Sequence, residues 1–133
     1  MARKERLDVT MMTLGLRDIG PGGRLSNAAL IALAEEALYR FWQQRPGAAE
    51  EPDFRSTKFE GRVHEALSAG DAVQFTVTVE KIGGKSIGFS IVLDREKRRA
   101  AEVDILWTAV DRTSAEPVAL PEALRDWLYQ WLP

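Results

Sequence analysis

From Ala28 to Ala34 the chain reads Ala-Ala-Leu-Ile-Ala-Leu-Ala, seven apolar residues without a break. Ser26 just before this run is a natural helix N-cap, and Arg45-Pro46-Gly47 is a stop signal. The sequence therefore predicts a helix over about Asn27 to Gln44. At 3.6 residues per turn the apolar run covers every side of the first two turns. A helix that is apolar all round is buried all round. In a chain of 133 residues, either one sheet curls around such a helix or a partner subunit covers its far side. Glu35 and Glu36 then follow abruptly, so the first acids of the helix arrive at its middle.

The remaining elements read as strands and turns. Leu7 to Arg17 is expected as a first strand, followed by the loop Asp18-Ile-Gly-Pro-Gly-Gly-Arg24, with three glycines and one proline in seven positions. Ala48 to Phe54 reads as an acidic loop and Thr57 to Leu67 as a second strand with Phe59, Val63 and Leu67 towards the core. The clearest strand follows, with Val73, Phe75, Val77 and Val79 alternating with polar residues. Gly83-Gly84 turns the chain into a strand with Ile87, Phe89, Ile91 and Leu93 inward. After a charged turn over Asp94 to Arg99, the last strand carries Val103, Ile105, Trp107 and Ala109. Pro121 opens a C-terminal helix with Leu124, Trp127, Leu128 and Trp131 as its apolar set. One helix before a run of alternating strands predicts an α+β domain spanning residues 1–133 with an antiparallel sheet, not a doubly wound α/β fold.

Composition narrows the function. Net charge is −2 with both signs interspersed, which leaves no basic face for nucleic acid. The chain has no cysteine, so thiol catalysis and Cys-type metal sites are excluded. The seven-residue apolar run falls far short of a membrane span, and Met1-Ala-Arg-Lys-Glu-Arg-Leu-Asp8 lacks the apolar core of a secretion signal. A cytoplasmic protein is expected.

The stretch Asp18-Ile-Gly-Pro-Gly-Gly-Arg-Leu-Ser-Asn27, running on to Ala32-Leu-Ala-Glu-Glu-Ala37, resembles the Asp-x-Asp-x-x-Gly-His-Val-x-Asn loop and helix start of the hotdog-fold acyl-CoA thioesterases, the group named for 4-hydroxybenzoyl-CoA thioesterase. Gly70-Asp71, Val79-Glu-Lys-Ile-Gly-Gly-Lys-Ser86 and Pro117-Val-Ala-Leu-Pro121 also match typical positions of that family. The resemblance covers nearly the whole chain. It implies a hotdog fold, in which a curved antiparallel sheet wraps one long helix. It also implies hydrolysis of acyl-CoA to free acid and CoA, with no metal or redox cofactor and with CoA as part of the substrate. Family sites lie between subunits, so a homodimer or homotetramer is implied.

The departures from the family pattern move the expected chemistry. The second Asp of the loop motif, catalytic in one branch, falls on Gly20, and the following His falls on Arg24. Other branches place the acid on the helix, nine residues after the His that opens a His-Gly-Gly motif. Here that position is Ser26, and the ninth residue on is Glu35. The fluoroacetyl-CoA thioesterase type is similar too, with Asn27, Glu35 and His64 filling its polar helix start, helix Glu and strand His.

Thioester hydrolysis needs a carboxylate that attacks the carbonyl or activates water, and donors for the developing oxyanion. Glu35 is the expected carboxylate, set among Ala32, Leu33 and Leu38; its bland reading is a surface acid or an arginine partner. Glu36 is expected to be its solvated or salt-bridged neighbour. Asn27, with backbone amides near Gly23 and Ser26, is the expected oxyanion site, or else Asn27 caps the helix. Gly22 and Gly23 could serve the tight loop alone. His64, the one histidine, could act as acid or base, although the alternation of its strand puts it with Arg62 on the face away from the core. Arg24 and Lys85 are expected at the site mouth, where a CoA phosphate needs positive charge, and Ser86 stands where the resembled family often has a substrate-side Ser, a place that a strand hydrogen bond explains equally well. Arg98 and Arg99 read as a solvated turn, and the tryptophans at 42, 107, 127 and 131 as core or subunit contacts. A non-catalytic hotdog protein that binds acyl groups or serves in an assembly is the second reading. A hotdog hydratase is the third, and it lacks the expected Asp-to-His spacing.

Overall fold

The computed structural model describes residues 6–47 and 50–133. Five antiparallel strands form one sheet: β1 (Asp8–Thr13), β2 (Asp53–Val63), β3 (Ala72–Ile82), β4 (Ser86–Arg95) and β5 (Arg98–Val110). Their spatial order is β1-β3-β4-β5-β2, so β1 and β2 are the two edges. Two helices complete the fold, α1 (Asn27–Trp42) and α2 (Glu122–Tyr129).

The alternation in the three central strands places one apolar set on the inner face. Val73, Phe75, Val77 and Val79 of β3, Ile87, Phe89, Ile91 and Leu93 of β4, and Val103, Ile105, Trp107 and Ala109 of β5 are all buried. Leu30, Ala34, Ala37, Leu38, Phe41 and Trp42 of α1 join that core. The tryptophans take the core role expected of them. Trp42 meets Trp107 edge-on with ring centroids 5.0 Å apart, and Phe41 stacks on Trp127 at 5.2 Å.

Ser26 caps α1 as expected: its Oγ accepts the Ala29 N–H at 3.1 Å. Other details differ from the sequence expectation: the second strand ends at Val63 rather than Leu67, and the expected turn over Asp94 to Arg99 narrows to the two residues between β4 and β5. The first strand is shorter than Leu7 to Arg17, because a 3-10 turn at Leu16–Asp18 ends it, with Asp18 Oδ2 accepting the Gly15 N–H. The second strand begins earlier, so Asp53 and Phe54 of the expected acidic loop are already paired to β5; residues 48 and 49 of that loop lie outside the described residues. In addition, α1 is not buried all round. Leu30 and Ala34 are buried, whereas Ala28 and Ala32 are exposed and Ala29, Ile31 and Leu33 are half-buried. The sheet of one chain covers one side of α1 and leaves the opposite flank open.

The same flank continues onto β2. Phe59, Gly61 and Val63 pair with the inward Ile105, Val103 and Ala101, so they share the inner face. A Cβ on Gly61 would meet Leu30 at 3.4 Å, which brings the helix close at that point. Phe59 and Val63 nonetheless remain 57% and 55% exposed, because the edge strand extends past the cover that α1 provides. Of the expected core-facing set only Leu67 is buried.

Candidate active site

The loop into α1 is a small closed unit. The Gly20 N–H donates to Arg24 O at 2.8 Å and the Gly23 N–H to Gly20 O at 3.3 Å. Gly22 and Gly23 stand at φ +86° and +74°, in the left-handed region that glycine adopts without strain. The Leu25 N–H donates to Leu67 O at 2.8 Å, tying the loop to the chain that follows β2. The Gly23 amide, expected as an oxyanion donor, is thus already engaged. Ser26 likewise is spent on the cap, its Oγ holding Ala29 and its carbonyl accepting the Leu30 N–H at 2.9 Å. The amides of Asn27 and Ala28 are the first-turn donors left without an acceptor inside the helix.

Asn27, Arg24 and His64 do come together. They line a cavity of about 300 Å³ with Leu25, Val63, Glu65, Ala66 and Leu67 at the N-terminal end of α1. Since Ser26 takes the cap, Asn27 is not needed for it. Among the described residues Arg24 pairs with no carboxylate, unlike Arg62, Arg95, Arg98 and Arg99. His64 lies, as the alternation indicated, on the Arg62 side. Its Nε2 is 3.9 Å from Glu102 Oε1, which also receives Arg62 Nε at 2.9 Å.

Glu35 does not line that cavity. Eight helical steps separate it from Asn27, about 12 Å along the axis. It is half-buried on the open flank of α1, not enclosed among Ala32, Leu33 and Leu38. Its partner is one the sequence reading did not single out: Tyr39 Oη donates to Glu35 Oε2 at 3.0 Å. The i,i+4 spacing of Glu35 and Tyr39 on a helix was the available signal. Partial burial, then the hydrogen bond to Glu35 and its negative charge, push the Tyr39 phenol above its ordinary value. Glu36 behaves as its expected neighbour, paired with Arg40 at 3.5 Å and exposed.

Tyr39 also lines a recess of about 350 Å³ with Trp42, Arg45, Phe54, Ser56, Trp107 and Arg112 among others. A wider recess of about 750 Å³ shares Arg45 and Arg112 with it and contains none of the predicted site residues. Lys85 and Ser86 lie elsewhere. Ser86 pairs with Thr108 while Val63 pairs with Ala101, and the seven residue steps from 101 to 108 put Lys85 and Ser86 about 23 Å along β5 from the His64 end. Within one chain they do not reach the Asn27 cavity. Among the described residues no group of His, Cys, Asp or Glu is placed to hold a metal ion, and no helix is long and apolar enough to cross a membrane.

A family model described as the thioesterase-like superfamily matches residues 14–128, from the end of β1 to the last turn of α2. The chain belongs to the thioesterase-like superfamily. No curated protein matches it in sequence. Among solved structures, a Staphylococcus aureus protein in complex with CoA is 15% identical, with a TM-score of 0.87 over 100% of this chain and 90% of that one. A 1,4-dihydroxy-2-naphthoyl-CoA thioesterase from Synechocystis is 8% identical, with a TM-score of 0.83 over 93% of this chain and 96% of that one. A Thermus thermophilus thioesterase complexed with coenzyme A and zinc is 24% identical, with a TM-score of 0.80 over 90% of each chain. At these identities the likeness shows the fold, and the fold of this superfamily member is the hotdog fold expected from its sequence, an α+β arrangement with a curved five-stranded antiparallel sheet.

Proposed function

We propose that the protein is an acyl-CoA thioesterase that cleaves a thioester to free acid and CoA, with Glu35 as base or nucleophile. The observation that carries the reading is the placement of Glu35. In a chain of the thioesterase-like superfamily, a carboxylate stands on the open flank of α1, held by Tyr39 at 3.0 Å and by no arginine among the described residues. Such a group is accessible to a thioester and free to accept a proton. Asn27 and the Asn27 and Ala28 amides are the donors for the carbonyl oxygen, at a helix end whose dipole favours negative charge. Arg24 supplies positive charge for a CoA phosphate at the mouth of the Asn27 cavity.

The 12 Å or so between Asn27 and Glu35 is closed by a second copy of the chain. The uncovered apolar flank formed by Ala28, Ala32, Phe59 and Val63 is the surface that copy covers. Two α1 helices crossing antiparallel at a two-fold axis near Ile31 bring Asn27 of one chain opposite Glu35 of the other, since both lie four residues from that point. Lys85 and Ser86 join the mouth only if the assembly folds that sheet end over it, and the assembly is a homodimer or a tetramer of such dimers.

The test is release of free thiol from a panel of acyl-CoAs, wild type against Glu35→Ala. We expect cleavage by wild type and a loss of 100-fold or more, the order expected for removing a catalytic acid–base group. If wild type does not exceed buffer, the enzyme reading fails; if both proteins cleave equally, Glu35 is not the carboxylate. Gly20 and Arg24, standing where one family branch has Asp and His, favour a second reading as an acyl-binding subunit without hydrolysis. CoA-thioester binding by wild type with no thiol release would establish it.

A further inference from the structure

We propose that Tyr39 is a positioning residue for Glu35, its hydroxyl fixing one carboxylate oxygen so that the other faces the thioester; this rests on the thioesterase reading above. The contact is directional. Tyr39 Oη donates to Glu35 Oε2 at 3.0 Å, and among the described residues Oε1 has no hydrogen-bond or ion-pair partner. An unconstrained glutamate on a helix flank has three rotatable side-chain bonds, and a reacting group gains most when its orientation is set beforehand.

The phenol that sets it is itself mounted on a rigid wall. The Tyr39 ring lies 6.2 Å, centroid to centroid, from Trp107. Trp107 is 5% exposed and is held edge-on by Trp42 at 5.0 Å and Phe89 at 5.1 Å. Glu35 is thus linked through one hydroxyl to the aromatic cluster of the core. The charged groups sharing the Tyr39 recess are Arg45, Glu51, Asp53 and Arg112. Arg45 is committed to Glu51 at 2.8 Å and to the Trp42 carbonyl, and Arg112 Nε to the Glu51 carbonyl at 2.9 Å. On the helix, Arg40 is paired to Glu36. Among the described residues the hydroxyl of Tyr39 is left as the group that acts on Glu35. A phenol is protonated, and therefore a donor, throughout the neutral range, and burial with the hydrogen bond to Glu35 shifts this one further upward.

The test compares wild type, Tyr39→Phe, Tyr39→Leu and Glu35→Gln in steady-state cleavage of the best acyl-CoA of the panel, with melting temperatures recorded in parallel. Tyr39→Phe keeps the ring on Trp107 and removes the oxygen. It is expected to lower kcat about tenfold with KM changed less than about twofold and the melting temperature unchanged. Tyr39→Leu removes the ring as well and is expected to lose at least as much kcat. A structural role alone leaves Tyr39→Phe at the wild-type kcat. If wild type cleaves, Glu35→Gln does not and Tyr39→Phe equals wild type, the positioning role is overturned and the thioesterase reading stands. If wild type leaves every thioester intact, the thioesterase reading fails and this proposal fails with it.

Discussion

Asp71 joins three segments that hold the candidate site. Its Oδ2 accepts the Ser68 N–H at 2.8 Å and Arg95 Nη1 at 3.0 Å, while its carbonyl accepts the Leu14 N–H at 3.0 Å. Arg95 in turn reaches the Ala66 carbonyl at 3.0 Å. The end of β1, held by the Asp71 carbonyl, and the turn before β3 and the end of β4, held by its carboxylate, are therefore tied at one residue. The neighbouring Leu67 carbonyl holds the loop that leads into α1. This gives a physical reason for a Gly-Asp pair here: Gly70 stands at φ +89° and turns the chain so that Asp71 faces Ser68. The amide of Ser68 and the Arg95 guanidinium hold the Asp71 carboxyl below its ordinary value. A carboxyl depressed in the folded state stabilises the fold above its unfolded pKa, near ~3.9, and that contribution is lost as pH falls through the folded value. Asp71→Asn keeps the shape and removes the charge. It is expected to cost about 1 kcal/mol at pH 7 in urea unfolding, a difference from wild type that shrinks as pH falls below about 4. An undiminished difference at pH 3 would show that charge is not the cause.

At the scale of elements, legibility follows how many sides of an element the chain itself covers. β3, β4 and β5 have a neighbour on each edge and a core on one face, so their period-2 pattern is complete and their inward residues could be read directly. β2 is an edge strand with Phe59 and Val63 inward yet exposed, so the face was legible and the burial was not. The cap of α1 was legible because it is local chemistry, one hydroxyl three residues from one amide. The site was legible only in part, for the same reason. Asn27 and His64 line one cavity where the short Leu25-to-Leu67 link joins their segments, whereas Lys85 and Ser86 are separated from them by the length of β5, which no local pattern reports. The cap permits a check. Ser26→Ala leaves the Ala29 amide without its acceptor and is expected to cost about 1 kcal/mol of stability, while Ser26→Gly costs a few tenths. A Ser26→Ala protein as stable as wild type in thermal or urea unfolding would mean that the Ser26 hydroxyl does not act as the cap.

For the whole molecule, the open flank of α1 and the inner edge of β2 form one surface that carries Glu35 at its middle and Asn27 at its end. Exposed alanines on α1 with exposed Phe59 and Val63 on the inner face of β2 are what an isologous interface requires, because the same apolar patch of each chain then covers that of the other. The proposed geometry makes each site out of Glu35 from one chain and Asn27 from the other, and this can be tested without a structure of the assembly. Glu35→Ala and Asn27→Ala are each expected to be inactive as homodimers, since every site lacks one group. Co-expressed in equal amounts, half of the dimers are hybrids, and each hybrid holds one site with both groups intact and one with neither. Activity is therefore expected to return to about a quarter of wild type. If Glu35 and Asn27 act within a single chain, no hybrid holds an intact site and the mixture stays inactive. Separating the species by affinity tags sharpens the outcome, because the recovered activity must then travel with the doubly tagged hybrid and with neither parent.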